Sequence, residues 1–519
     1  MDSAATTTSS TNTAFLWWHP RTLLLGGAIA YVAVGYLTLD KRGRRAWFRP
    51  VTMSLSAITV AIGFAVSLVT DIQDAIEDGR TKVWQQAMDA LQLFLKESGL
   101  EDEFSETMSS SHFIPSLMIL TDLQNKVQRQ RRVPLRQPHQ TLIEPADLTL
   151  GSHYMRYATA VYGTEMMAST QLAVYDTTLA SAQDTTHEWI AKHVHLDPSS
   201  PDGNDDTTAK YEIWCDYTRD PTNKDISHAQ HTMVVCDHTN KVIVLTIRGT
   251  FSLSGIITDL AGYCEDYCGG MAHAGMACAA QETWDSVWNE VLRDKLAEGG
   301  DTLAEYSLVV TGHSLGAGVA CLVTILIYHL IQEKKLPTLQ HRRIQCYAMA
   351  PPPVFEPLSA APEAVSNTVA YIHQYDCVPS LSVDGVRRLM ACLGRIQKVL
   401  LQHPLWELAA RRWELGEPEP ELLEAYQQPK EPLRELDKAP MLFIPARQLI
   451  WLEKQVVDDQ VKGYEAHPLD PTFYADRVLD LEAPDCVMDH LASEYETAFA
   501  KLLGSGQFGG DKNTDDTTL

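Results

Sequence analysis

The chain has 519 residues, more than one ordinary domain core contains, and its composition (45% hydrophobic, 21% charged) is globular rather than disordered. Its net charge of -25, with no basic stripe in the C-terminal part, excludes nucleic acid as a partner, because phosphate binding needs clustered Lys and Arg. The ten cysteines lack the short spacings of a disulfide framework, which predicts reduced core residues.

Residues 1–21 are predicted to be a polar tail, and residues 22–70 two membrane-embedded helices. Segments 22–39 and 51–70 carry no charge, and at ~1.5 Å per residue the first extends roughly 27 Å, close to a ~30 Å hydrocarbon core. A basic loop with an interfacial Trp47 separates them. A cleaved signal peptide plus a core helix fits less well, because the positive charges follow the first apolar run rather than precede it.

The membrane topology stays open at the level of sequence. The positive-inside rule places the basic loop in the cytosol and everything after Asp71 on the far side, but a hairpin that enters one leaflet would leave the protein cytosolic. The choice between an endomembrane and the plasma membrane is equally undecided.

Residues 71–140 have helical spacing and predict a connector, and from residue 141 to 505 strands alternate with helices. Met233 to Cys236 is predicted to begin a strand that ends in a turn at Asp237 to Asn240. The short apolar runs typical of buried parallel strands are Val242 to Ile247, Tyr306 to Thr311, Ile344 to Met349 and Val369 to His373. This pattern predicts an α/β-hydrolase fold, a mostly parallel sheet with helices on both faces, followed by a disordered tail at 506–519.

Two groups of Cys and His have spacings that could hold a metal. Cys264 and Cys268, four residues apart, would share one helix face as a disulfide, a metal half-site or, more commonly, unpaired packing residues. The second group comprises His228, His231, Cys236 and His238. Cys236 falls in the strand that begins at Met233, and the histidines are predicted to be solvated residues that flank this strand. No metal is therefore expected at either place.

The motif Gly312-His313-Ser314-Leu315-Gly316 lies between a predicted strand and a predicted helix. A Ser on such a sharp turn presents its hydroxyl above the sheet, and glycines two positions to either side let the chains approach closely. This context predicts Ser314 as a catalytic nucleophile.

A serine hydroxyl needs a base, and the base needs an acid that orients it; in this fold the chain order is Ser, acid, His. Asp376 follows the strand ending at His373 and is the predicted acid, with Asp384 as its nearest rival. His490, before a final helix, is the predicted base, and His467 is its competitor.

The oxyanion of the tetrahedral intermediate needs donors that are fixed in advance. The backbone N–H of Leu315 is the first predicted donor, since it follows the nucleophile. Thr250, in the loop after the strand Val242 to Ile247, is the second, through its backbone or hydroxyl.

The chain resembles the fungal-type, or class three, lipases, and among them it is most similar to the sn-1-specific diacylglycerol lipases. The resemblance runs from about 150 to 500 through MRYATAVYG, VLTIRGTFSLSGIITDL, HAGM, VVTGHSLGAGVA, YDCVPSLS and MDHLASEY. It implies the same roles for Ser314, Asp376, His490, Thr250 and Leu315. The animal diacylglycerol lipases have four membrane helices where this chain offers two.

These observations predict a membrane-anchored serine lipase that cleaves a glycerolipid acyl ester, diacylglycerol giving monoacylglycerol and free fatty acid. A phospholipase A1 or a monoacylglycerol lipase would use the same triad, and a catalytically inactive membrane scaffold is the alternative of another class. The expected partners are the bilayer and its glycerolipid, and protein partners are unknown. The chemistry needs no cofactor; calcium is implied only by the family resemblance, since no D-x-D-x-D-G loop is present.

The stretch from about 387 to 439 is predicted to be an insertion that covers the active site. It separates the acid loop from the strand-like run Met441 to Leu452 by far more than the few residues usual in α/β units. Its first part has apolar residues on one helical face, at Leu389, Leu393, Ile396 and Leu400, and its second part is rich in Pro and Glu. A surface elaboration without a role in access is the alternative.

Overall fold

The computed structural model of the chain describes residues 92, 95–96, 101–110, 112–130, 143–162, 186–196, 210–216, 231–250, 264–402, 420–427, 441–457, 460–474 and 488–504. All of them fall in one of the two units of the chain, the one formed by residues 82–402 and 420–519. The predicted membrane hairpin at 22–70 and the tails at 1–21 and 506–519 lie outside the described residues.

The described strands, in chain order, are β1 Tyr211–Asp216, β2 Thr232–Asp237, β3 Val242–Ile247, β4 Cys264–Tyr267, β5 Gly270–His273, β6 Ser307–His313, β7 Ile344–Met349, β8 Phe355–Glu356, β9 Thr368–His373, β10 Gln448–Val457 and β11 Gln460–Leu469. Eight of them form one sheet in the order β1-β2-β3-β6-β7-β9-β10-β11, and β4, β5 and β8 form a small second sheet. Strands β3, β6, β7, β9 and β10 run parallel, while β1, β2 and β11 are antiparallel to their neighbours. The predicted mostly parallel sheet is thus confirmed.

The parallel strands are short and rich in β-branched residues because both of their faces are covered. All six residues of β3, the sequence VIVLTI, are buried, and so are all six of β9. The strand-like run from Met441 is an exception: it pairs only through a single bridge, Phe443 to Phe355, before β10 begins at Gln448.

The described helices are α1 Glu101–Ser109, α2 Phe113–Gln130, α3 Pro145–Ala160, α4 Thr186–His193, α5 Ala274–Val287, α6 Arg293–Leu303, α7 Leu315–Gln332, α8 Pro362–Ser366, α9 Val383–Gln402, α10 Pro420–Gln427 and α11 Ala492–Gly504. Helices α3 and α11 pack together and share a core with alternate residues of the strands, such as Val242 and Val244, or Tyr347 and Met349. Helix α7 packs with α5 and against β3, β6 and β7. The alternation of side chains along a strand places α7 on the opposite face of the sheet from α3.

Helix α9 begins the stretch that the sequence marks as an insertion. The four residues predicted to share one of its faces, Leu389, Leu393, Ile396 and Leu400, are all buried. The helix packs against α1, α2 and α10, and Gln397 donates hydrogen bonds to the backbone oxygen of Thr107 and to Ser116. The connector helices and the insertion therefore pack on each other.

Among the described residues, one helix is long and apolar enough to cross a membrane, namely α7. It follows the nucleophile motif, and 72% of its most apolar window is buried inside the protein.

The expectation that Cys264 and Cys268 share a helix face is wrong. Cys264 begins β4, and Cys268 lies in the turn that joins β4 to β5, with a φ of 49°. The register pairs Tyr267 with Gly270, so the four-residue spacing spans a hairpin rather than a helical turn. Cys264 and Cys268 are both free thiols.

Candidate active site

The turn that carries Ser314 forms because three successive features agree: a buried strand, a strained residue and a helix start. Ser314 has a φ of 62° between β6 and α7, and its backbone N–H donates to Met349 in the neighbouring strand (2.9 Å). A Cβ on Gly312 would lie 2.5 Å from the backbone oxygen of Gly316, and one on Gly316 2.3 Å from that of Ile247. The glycines are therefore required by close backbone approach.

The structure brings Ser314, His490 and Asp376 together although 176 residues separate the first two. His490 Nε2 lies 2.8 Å from Ser314 Oγ, and His490 Nδ1 lies 2.9 and 3.0 Å from the two carboxylate oxygens of Asp376. Because Asp376 is an acceptor, Nδ1 carries the proton and Nε2 is free to accept from the serine hydroxyl. A hydroxyl, an imidazole and a carboxylate in this order can carry out acyl transfer.

Asp376 is almost completely buried, yet it remains the charged partner of the group. Burial alone would raise its pKa, but His490 beside it, together with hydrogen bonds from His490, Tyr495 and the Val378 N–H, holds the pKa below its usual range. Tyr495 donates to Asp376 over 2.6 Å, and Val378 over 2.9 Å. These donors stabilise the carboxylate that orients the imidazole.

The loop before His490 is fastened to the end of β9 through Asp489. The backbone oxygen of Asp489 accepts a hydrogen bond from His373 Nδ1 (3.0 Å), and its carboxylate accepts from the Tyr375 N–H (3.2 Å) and from Lys454 Nζ (2.6 Å). The Asp489 side chain is only 3% exposed, so the Lys454 charge compensates a buried carboxylate. Asp489 thereby fixes the backbone from which His490 projects.

Leu315 and Thr250, the two predicted oxyanion donors, lie on either side of a close backbone contact. Leu315 is the first residue of α7, where the backbone N–H groups of a helix are not used inside the helix. A Cβ on Gly249 would lie 2.4 Å from the His313 backbone oxygen and 3.0 Å from Ser314 Cβ. Gly249 therefore packs against the backbone around Ser314, and Thr250 is the next residue in the chain.

The rivals weighed for acid and base are engaged elsewhere. Asp384 lies in the first turn of α9 and accepts from Arg388 Nε (2.6 Å). His467 lies on β11 with Nε2 2.9 Å from Glu453. Neither rival has a described hydrogen bond to Ser314, His490 or Asp376.

Two sets of side chains in the described part of the chain have the geometry to hold a cation. In the first, His373 with Asp489 and Glu494, the Lys454 ammonium already lies 2.6 Å from Asp489 and 3.2 Å from Glu494. The second set comprises Glu453, Glu465 and His467. Of the group considered from sequence spacing, His228 lies outside the described residues, and His238 Nδ1 lies 3.0 Å from the Tyr306 hydroxyl.

Sequence reasoning did not assign the residues that hold the triad. Tyr495 falls in the segment MDHLASEY, three positions from Ala492, where α11 begins. Its hydroxyl donates to Asp376 and accepts from the His373 N–H (2.9 Å). A Tyr five positions after the base was the available signal. Nothing in the sequence pointed to Lys454, which lies on a different strand.

A serine on a strand-to-helix turn, hydrogen-bonded to a histidine that faces a buried carboxylate above a parallel sheet, defines a serine-hydrolase type of site on an α/β-hydrolase fold. Residues 244–385 match the family model described as Lipase (class 3). The family predicted from the sequence, the fungal-type class 3 lipases, is confirmed for this region.

Individual relatives agree with that family. Diacylglycerol lipase-beta of Mus musculus is 29% identical over 187 residues, covering 34% of this chain and 26% of the relative. Secreted mono- and diacylglycerol lipase A of Penicillium cyclopium is 30% identical over 158 residues, covering 28% of this chain and 45% of the relative. Less than half the length of either relative is thus matched. The solved Rhizomucor miehei lipase propeptide complex has 15% identity and a TM-score of 0.38, over 67% of this chain and 80% of that one.

Proposed function

We propose that this chain is a membrane-anchored serine lipase that hydrolyses an acyl ester of a glycerolipid, with diacylglycerol giving monoacylglycerol and free fatty acid. The observation that carries the proposal is the continuous hydrogen-bonded chain from Ser314 Oγ through His490 to Asp376. The substrate class is supported by the similarity to proteins named diacylglycerol lipases.

The first half of the reaction acylates Ser314. As Oγ attacks the ester carbonyl carbon, His490 Nε2 takes the hydroxyl proton, and the carbonyl electron pair moves onto oxygen. The Leu315 N–H and Thr250 donate to this oxyanion, and Asp376 stabilises the imidazolium at Nδ1. When the intermediate collapses, His490 returns the proton to the departing glyceride oxygen, which leaves an acyl-serine.

The second half repeats the steps with water as the nucleophile. His490 takes a proton from water, the resulting oxygen adds to the acyl carbon, and Ser314 Oγ leaves with that proton. The free fatty acid and the unmodified enzyme are the products. No step in this sequence needs a cofactor.

The test is a comparison of wild type with Ser314→Ala on diacylglycerol, triacylglycerol, phosphatidylcholine and monoacylglycerol in mixed micelles, with the released acyl position identified. We expect diacylglycerol to be cleaved fastest, a loss on the order of 10⁶-fold in Ser314→Ala, and fluorophosphonate labelling of wild type only. Faster cleavage of phosphatidylcholine or monoacylglycerol would favour those lipase activities, and no cleavage of any lipid would favour the scaffold. A parallel assay with a calcium chelator tests the calcium expectation.

Membrane anchoring by the hairpin at 22–70 is part of the proposal. Its support is the sequence, two uncharged segments of spanning length with a basic loop between them. Deleting residues 1–70 should release the protein from membranes, because α7, the one described helix that is apolar enough, is a buried core helix. Carbonate-resistant association of this truncation would contradict the hairpin as sole anchor.

We also propose that the segment 387–439 controls access to Ser314. The proposal rests on its place in the chain, since it leads away from the acid loop and joins β9 to β10. Replacing Pro404 to Lys438 with a short Gly/Ser linker should speed turnover of a small soluble ester. Unchanged rates on both a soluble ester and a bilayer lipid would leave the segment without that role.

A further inference from the structure

His313, the residue before the nucleophile, is buried and contacts the catalytic base directly. Its Nε2 lies 2.8 Å from the backbone oxygen of His490, and its ring centroid lies 4.7 Å from that of His490 at an interplanar angle of 33°. Its other nitrogen, Nδ1, lies 3.1 Å from the hydroxyl of Tyr162. Both ring nitrogens of His313 are therefore used.

These contacts fix the direction of each hydrogen bond. A backbone carbonyl can only accept, so His313 Nε2 carries the proton and donates to His490. Nδ1 is then the acceptor, and the Tyr162 hydroxyl donates to it. The Tyr162 oxygen in turn accepts from the backbone N–H of Gly249. A continuous series of hydrogen bonds thus runs from Gly249 through Tyr162 and His313 to His490.

These hydrogen bonds connect the three segments that the proposed reaction needs. Gly249 precedes the oxyanion candidate Thr250, His313 precedes Ser314, and His490 is the base. Gly249 also packs tightly here, since a Cβ at this position would lie 2.6 Å from the Tyr162 hydroxyl. A movement of any one of these segments would break a hydrogen bond inside the protein, where a lost partner is not replaced by water.

Burial supports the assigned protonation state. Burial first, and the neighbouring His490 second, lower the pKa of His313 to about 3. His313 is therefore neutral while His490 becomes an imidazolium during the reaction, so the neighbouring ring adds no like charge beside the base.

We propose that His313 and Tyr162 form a positioning relay that holds the His490 imidazole and the Gly249–Thr250 segment at fixed separations from Ser314. The relay rests on the proposed hydrolase function and adds to it two residues that touch no reacting atom. A misplacement of about 1 Å among catalytic groups can cost ~10²-fold in rate, so hydrogen bonds that prevent such displacement act on turnover rather than on binding.

Two tyrosines, one in helix α3 and one just past its C-terminal end, allow a matched comparison. Tyr157 lies in α3, and its buried hydroxyl has no hydrogen-bond partner among the described residues, whereas the Tyr162 hydroxyl links Gly249 to His313. Tyr157→Phe and Tyr162→Phe remove the same atom from the same residue type in one region. Only the second change breaks the relay.

The experiment measures kcat and KM of the full-length protein on a soluble p-nitrophenyl ester, with active sites counted by fluorophosphonate titration. We expect His313→Leu to lower kcat per titrated site roughly 100-fold, and Tyr162→Phe roughly 10-fold, both with KM changed less than about twofold. His313→Gln, whose amide can donate to the His490 oxygen, should recover most of the loss. Tyr157→Phe should keep the wild-type kcat.

Three results would overturn the relay. They are an unchanged kcat per titrated site in both His313→Leu and Tyr162→Phe, an equal loss in His313→Gln and His313→Leu, and an equal loss in Tyr157→Phe and Tyr162→Phe. A wild type that neither hydrolyses esters nor reacts with the phosphonate would instead overturn the proposed function, and the positioning role with it.

Discussion

The turn around Ser314 and the loop around His490 place their side chains in one shared hydrogen bond, but different kinds of contact hold the two segments in position. Residues within two positions of Ser314, mainly Gly312 and Gly316, shape the turn by allowing close backbone approach. Residues Asp489 and His490 accept hydrogen bonds from partners far away in the sequence. The donors are His313, His373, Tyr375 and Lys454, at separations of 177, 116, 114 and 35 residues. The proposed nucleophile is thus specified by its neighbours in the chain, whereas its proposed base is held in place by the fold.

The largest effect is expected where the two regions meet. His490→Ala should lower kcat/KM on the order of 10⁶-fold, as Ser314→Ala does, and Asp376→Asn about 10⁴-fold. The losses should be less than additive, because a missing base or the wrong tautomer leaves Ser314 without activation. Asp384→Asn and His467→Gln are matched controls, since those side chains pair with Arg388 and Glu453. Steady-state kinetics on a soluble ester measures this; a larger loss in either control would reassign the acid or the base.

Breaking the local region should cost stability as well as activity. In Gly316→Ala the new Cβ would meet the Ile247 backbone oxygen at 2.3 Å, so backbone must move, and we expect a loss of about 3 kcal/mol in the free energy of unfolding. Gly463→Ala is the control, because a Cβ there meets nothing within 4 Å. Denaturant unfolding followed by fluorescence would decide; equal stabilities would contradict the close-approach argument.

Breaking the long-range region should mainly cost turnover. Lys454→Met removes the ammonium that compensates the buried Asp489 carboxylate, and we expect kcat to fall ~10-fold and the unfolding free energy to fall by a few kcal/mol. The double variant Lys454→Met/Asp489→Asn should regain part of that stability, as a double-mutant cycle can measure. Lys241→Ala, which breaks an exposed pair with Glu305, should leave the unfolding free energy close to that of wild type.

The buried histidines should have the smallest effect at neutral pH. Their titration becomes visible in acid, as a change in the unfolding free energy. Burial, ahead of nearby positive charge, lowers the pKa of His373 to about 4, as burial lowers that of His313 to about 3. Below about pH 6.5 the unfolded chain binds protons that the folded protein does not bind. The unfolding free energy should therefore fall by a few kcal/mol from pH 6.5 to 4.

A variant series tests this pH dependence. His373→Gln should flatten the fall in the unfolding free energy below pH 6.5, because one non-protonated buried imidazole is gone. Tyr157→Phe changes no group that titrates in this range and should keep the wild-type slope. A His373→Gln slope equal to that of wild type would show that buried His373 does not drive the loss.

Elements that depend on local information could be predicted from the amino-acid sequence. The bounds predicted for β3 and β7 agree with the structure, and the helix after Ser314 forms as α7, because apolar periodicity and β-branched content act within one segment. The turn motif from Gly312 to Gly316 was recognisable for the same reason. Cys264 and Cys268 show the limit of spacing alone, since four residues fit a hairpin turn as well as a helical one.

The contacts between distant side chains could not be predicted before the fold was known. Tyr495 on Asp376, Lys454 on Asp489, and Tyr162 with His313 behind His490 depend on sheet order and on helix α3 and α11 packing over it. The packing of α9 against the connector helices is likewise invisible in either segment read separately. A hydrogen bond between residues more than a hundred positions apart leaves no periodic signal in the chain, because its geometry exists only after the hydrophobic core has formed.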